Sequence, residues 1–99
     1  MRRGSTPTHI FTLALDADLI AKVRILYSQN NKLVLKKEHS DCVIDGSTIT
    51  VKLTQKDTLA FDDGMAEVQI RVNTPDGDSI PSRIYMVSVE RLLEDEVFE

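Results

Sequence analysis

Between Ala66 and Glu90 the chain reads as a hairpin. Ala66, Val68, Ile70 and Val72 alternate with Glu67, Gln69, Arg71 and Asn73. A period of two places the apolar set on one face of a β-strand and the polar set on the other. Pro75, Asp76 and Gly77 follow, three residue types that favour a tight turn. Beyond them Tyr85, Val87 and Val89 form a matching apolar face, in a strand running from Arg83 to about Arg91. This is architecture and contains no chemistry of its own.

The same period recurs along the chain. In "HIFTLAL", Phe11, Leu13 and Leu15 share one face, and Ile10, Thr12 and Ala14 the other. The second face is not polar, so a strand covered on both sides is expected. The stretch from Asp16 to Ser28 is ambiguous, since Asp16 or Asp18 is able to cap a helix. Its later part alternates Val23, Ile25 and Tyr27 against Lys22, Arg24 and Leu26, which predicts a strand preceded by a turn at Asp16–Asp18. Asn30 and Asn31 tolerate the left-handed backbone of a tight turn, and "KLVLKKE" continues as a strand through Leu33 and Leu35. Asp45-Gly46 is a two-residue turn signal. After it Ile49, Val51 and Leu53 face inward, and Thr48, Thr50, Lys52 and Thr54 outward. "TQKDTLAF" then breaks the alternation. Thr54 is suited to cap one helical turn with Asp57 three residues on, and Leu59 and Phe61 are expected to plug the core.

About seven short strands with turn signals every 8–12 residues predict a β-sandwich or a small barrel. A chain of 99 residues is one domain, able to bury roughly 60–70% of its unfolded surface. Residues 1–7 read as a flexible N-terminal arm, 8–93 as the β-domain, and 94–99 as an acidic tail.

Composition narrows the function classes. The formal net charge is −4, against the basic surface that phosphate binding requires, so no nucleic-acid partner is expected. No apolar run reaches the roughly 18 residues of a membrane span. Arg2 and Arg3 are not followed by the apolar core of a secretory signal. With one cysteine, Cys42, neither an internal disulfide nor a cysteine-rich zinc site is available.

The residues able to carry chemistry are few. Cys42, beside Val43 and Ile44, reads as a small buried residue in place of a nucleophile. His9 and His39 imply no third ligand by spacing. Asp16 with Asp18, Asp62 with Asp63, and Asp76 with Asp78 fit no calcium loop and are ordinary turn residues. Lys36 and Lys37 suit a solvated strand edge. No catalytic, cofactor or metal site is expected, and the chain reads as non-enzymatic. The candidate contact residues lie in "RLLEDEVFE": Leu93, Val97 and Phe98 keep large apolar side chains among acids, while Leu92 is the one expected to fold back on the core.

The opening "THIFTLALDADLIAKVRILYSQNNKLVLKKE", then "ITVKLTQKDTLAF", "AEVQIRV", a "PDG" turn and "RIYMVSVERLLEDEV" resemble a group of short uncharacterised proteins from phages and prophages of Gram-positive bacteria, found among virion structural genes. The likeness covers about Thr8 to Val97. "LTQKDTLAF" followed by "VQIRV" is also similar to the immunoglobulin-like N-terminal domain of phage baseplate upper proteins. The resemblance implies an immunoglobulin-like antiparallel sandwich and a structural or assembly role in the tail, baseplate or head–tail region. Its partners would be other virion proteins or further copies of itself, and it would be made in the host cytoplasm, where a lone reduced cysteine is expected. A carbohydrate- or surface-binding module is the alternative. Such modules expose aromatic rings, and here three Phe and two Tyr stand with no Trp.

Overall fold

The computed structural model describes all 99 residues, Met1 to Glu99. Its strands are β1 (Thr8–Thr12), β2 (Lys22–Gln29), β3 (Lys32–Glu38), β4 (Cys42–Asp45), β5 (Thr48–Lys52), β6 (Gly64–Asn73), β7 (Ser79–Pro81) and β8 (Tyr85–Val89), with one short helix, α1 (Gln55–Leu59). Strand accounts for 49% of residues and helix for 11%, which makes the class all-β. Three strands form one antiparallel sheet in the order β1-β5-β4. The other sheet runs β3-β2-β6, with β7 and β8 both paired to the far side of β6.

This order is that of an immunoglobulin sandwich. There, strands B, E and D lie in one sheet and C′, C, F and G in the other. Here β1, β5 and β4 take the places of B, E and D. Strands β3, β2 and β6 take those of C′, C and F, and β7 with β8 forms a G strand broken in two. The expected seven strands are therefore eight. Strand A, which would pair with β1, is missing from that edge. Residues 1–7 instead cross to the end of β8, where Arg2 and Glu90 form a parallel bridge.

The inward faces follow the period-two pattern. Val23, Ile25 and Tyr27 of β2 meet Ile49, Val51 and Leu53 from the opposite sheet, and Ala66, Val68, Ile70 and Val72 line the centre of β6, all essentially inaccessible. Phe61 closes one end and is fully buried. It follows α1, whose start is a capping box. Thr54 Oγ1 accepts from the Asp57 amide at 3.1 Å, and the Asp57 carboxylate accepts from the Thr54 amide at 2.9 Å. Leu59 is only half-buried; the second plug is Thr58, whose hydroxyl donates to the Ser5 carbonyl.

Some local expectations hold and others are corrected. The outer face of β1 is open, with Ile10 65% exposed, because no layer covers it. Residues 17–19 make a single 3-10 turn and no helix proper. The β2–β3 loop is Asn30-Asn31 at φ 54° and 63°, the primed two-residue turn that matches strand twist. The β4–β5 loop is Gly46-Ser47, not Asp45-Gly46, since Asp45 pairs with Thr48. A bulge at Val34 shifts the β2–β3 register and leaves Leu33 exposed.

The last hairpin is also interrupted. Arg71 pairs with Pro81 and Val68 with Tyr85, so Gln69 and Ile70 oppose three residues, Ser82, Arg83 and Ile84. This is a one-residue β-bulge. Ser82 fills it: its amide donates to the Ile70 carbonyl at 2.7 Å, and its hydroxyl accepts from the Ile70 amide at 3.0 Å. The extra residue inverts the alternation, so Ile80 before it and Tyr85, Val87 and Val89 after it face the core.

Residues 1–7 are tied in, against the expectation of a loose arm. Arg3 donates to the carbonyls of Leu59 and Phe61, groups left unpaired at the end of a helix. Gly4 has a φ of 79°, and a Cβ there would lie 2.5 Å from Leu92 Cδ2. Leu92 lies against Gly4, so it does fold back and is half-buried.

Candidate partner-binding surface

The chemistry-bearing side chains are each committed to a structural partner. His9 on β1 and Tyr27 on β2 share a hydrogen bond of 2.7 Å that joins the two sheets. Burial lowers the His9 pKa and raises that of Tyr27. His39 Nδ1 instead accepts from the Val23 amide at 3.1 Å. Lys37 Nζ lies 2.8 Å from the Asp57 carboxylate, with both side chains mostly covered. Burial pushes Asp57 up, and its bonds to Lys37 and Thr54 more than offset this, holding it below the usual carboxylate range. Lys37 is thus not the solvated edge residue expected, because it sits opposite Ile25 on the inward side of β3. The Cys42 thiol is pushed up by burial and donates to the Glu38 carbonyl at 3.4 Å. Raising its pKa disfavours the thiolate that nucleophilic attack needs.

These shifts predict the pH response. The native pKa of His9 lies below its unfolded value of about 6.5. Its contribution is fully present above about pH 6.5 and is lost as pH falls through the lower native value. Asp57 behaves likewise in a more acid window, with stability lost as pH drops below about 3.9. The melting temperature should therefore fall between pH 7 and pH 5, and a His9→Gln variant should show a flatter profile there. Parallel profiles would contradict the assignment.

The acidic turns lie at both ends of the sandwich. Asp16 and Asp18 precede β2, and Asp76 and Asp78 follow β6, near the paired residues Lys22 and Asn73. Asp62 lies at the other end, its peptide held by Gln29 at 2.7 and 2.8 Å. No three His, Cys, Asp or Glu side chains come together in a metal-holding arrangement. Saturating calcium is expected to leave the melting temperature unchanged, because a ligand stabilises only by binding the native state. A rise of several degrees at sub-millimolar calcium would contradict this.

The segment after β8 presents apolar groups in a fixed arrangement. Arg3 pairs with Asp95 at 2.9 Å. Gln55 of α1 donates to the Phe98 carbonyl at 2.9 Å and accepts from the Phe98 amide at 2.8 Å. The backbone is thereby held against the body, yet Leu93 is 87% and Phe98 78% exposed. Val97 is less so, at 46%, over a groove formed with Thr6, Lys52, Leu53 and Lys56. The Gln55 clamp was not legible in the sequence, where a glutamine in a short helix carries no signal. Of the remaining aromatic rings, Phe11, Tyr27 and Phe61 are buried, and Tyr85 is half-buried beneath Arg83. They form no exposed aromatic platform.

No protein-family model matches the chain, and no curated protein matches it. Among solved structures, extracellular domains 3–5 of Drosophila OTK align with 94% of this chain and 32% of that one, at 14% identity and a TM-score of 0.37. The chain spans about a third of that structure's length. The immunoglobulin-like assignment stands on the strand order and pairing of the chain itself. No helix is long and apolar enough to cross a membrane.

Proposed function

We propose that this chain is a non-enzymatic contact domain, a phage-derived structural or assembly part of a virion, which joins a neighbouring virion protein or another copy of itself. The observation that carries the reading is the segment 92–98. Its backbone is pinned by Gln55 at Phe98 and its Asp95 side chain is paired with Arg3, while Leu93 and Phe98 are turned out to solvent. An ordered backbone with exposed apolar side chains has already lost much of the entropy that binding would otherwise cost. Each such side chain contributes roughly 1.5–3 kcal/mol when a partner buries it fully. Glu94, Glu96 and Glu99 around them favour a basic partner surface. The resemblance to virion-cluster proteins supplies the setting.

The test uses Leu93→Ser and Phe98→Ser. Both sites are exposed, so each change should alter stability by less than about 0.5 kcal/mol. Incorporation of the chain into gradient-purified particles should fall sharply. The reading fails if the chain is absent from particles altogether, or if both variants enter them as well as the parent.

A further inference from the structure

The four outer edges of the two sheets differ. The β3 edge carries Lys32, Lys36 and the Val34 bulge. The β7–β8 edge carries Pro81 and the Ser82 bulge, and at its β8 end residues 1–3 already bond to Ser88 and Glu90. The β4 edge is four residues long, with Asp41 and Asp45 at its ends. Lysine, proline, bulges, short length and charge all discourage the addition of a further strand. The β1 edge, "THIFT", has none of these.

That edge is also open. The flanking ladder bonds, Leu53 amide to Pro7 carbonyl and Leu13 amide to Ser47 carbonyl, show that odd-numbered residues of β1 bond to β5. The backbone amides and carbonyls of Thr8, Ile10 and Thr12 therefore point away from β5, where β1 has no neighbour. All three residues are exposed. Beside them a groove of about 410 Å³ opens between β1 and β7, lined by Leu13, Leu15, Val72, Ile80 and Tyr85. Its one charged group is Arg83, stacked 4.4 Å from the Tyr85 ring centre and in no ion pair.

We propose that the β1 edge is a strand-addition site for an extended segment of a partner protein, with apolar side chains at alternate positions and a carboxylate that meets Arg83. Main-chain bonds to Thr8, Ile10 and Thr12 supply affinity, and alternate side chains entering the groove supply specificity. The segment takes the place of the missing strand A. An acidic residue is specified because the groove offers a lone cation and no acid, in a chain that is acidic overall. The site is separate from segment 92–98, so its test stands apart from that of the proposed function.

Random peptides displayed on yeast are selected on the immobilised full chain. The enriched peptides should alternate apolar residues and carry an Asp or Glu. Their binding should weaken roughly tenfold on Thr12→Pro, which removes an edge amide unused by β5. It should weaken also on Arg83→Gln. If Thr12→Pro melts well below the parent, Ile10→Lys replaces it and should give the same loss by charging the edge. The proposal is overturned if nothing is enriched, or if the selected peptides bind the edge variants as tightly as the parent. It is overturned equally if sedimentation shows a dimer of the chain alone that Thr12→Pro dissolves, which would assign the edge to a second copy.

Discussion

Replacing Phe61 with alanine should cost about 3–5 kcal/mol, the range for deleting a large buried aromatic side chain. Phe61 is fully buried and stands edge-on to Tyr27, with ring centres 5.9 Å apart. It occupies the crossover from β5 to β6, where one side chain seals the end of the sandwich. The cost belongs at the upper end of the range because the backbone there has little freedom to collapse into the void. The Phe61 amide donates to the Thr58 carbonyl, its own carbonyl accepts from Arg3, and the next peptide is held twice by Gln29. Domains of this size are stable by about 5–15 kcal/mol in total. The melting temperature should drop by roughly 15–30 °C. Urea unfolding of parent and variant measures it, and a loss below about 1 kcal/mol would contradict the packing described.

Deleting Ser82 and Arg83 together should be comparably damaging, although the Arg83 guanidinium lies at the surface. Three residues oppose Gln69 and Ile70 in the bulge, and the double deletion leaves one. Regular pairing continued from β7 would then set Tyr85 opposite Gln69. Tyr85, Val87 and Val89 would turn to solvent, and Met86 and Ser88 to the core. With roughly 1.5–3 kcal/mol for each apolar side chain fully buried, and two of the three only half-buried here, the expected loss is about 3–5 kcal/mol. Deleting Arg83 alone leaves two residues opposite two, so regular pairing keeps Tyr85 opposite Val68 and the inward set is preserved. The single deletion should therefore be the more stable of the pair in thermal melts. The reverse order would show that the bulge does not set the register.

The period-two runs in β2, β5 and β6 were legible because each has one buried face, and burial there follows the alternation. The Thr54 cap was legible because its chemistry is local. What the sequence hid depends on long-range pairing. Leu33 is as apolar as Leu35, and only the bulge at Val34 separates an exposed residue from a half-buried one. Ile10 resembles a core residue in its segment and is exposed because no layer covers the outer face of β1. The docking of Arg3 needs the carbonyls of Leu59 and Phe61, more than fifty residues away. Leu93, Val97 and Phe98 were visible as apolar groups among acids. The Gln55 bonds that hold Phe98 were not, because they join a side chain to a backbone 43 residues distant.

The central claim is that the segment after β8 meets another chain. A photo-crosslinking amino acid in place of Phe98, activated in assembled particles, tests it most directly. Its side chain points to solvent, so in a partnered chain it should capture a second polypeptide, identified by mass spectrometry of the joined peptides. Crosslinks confined to the chain's own residues around Gln55 would contradict the account.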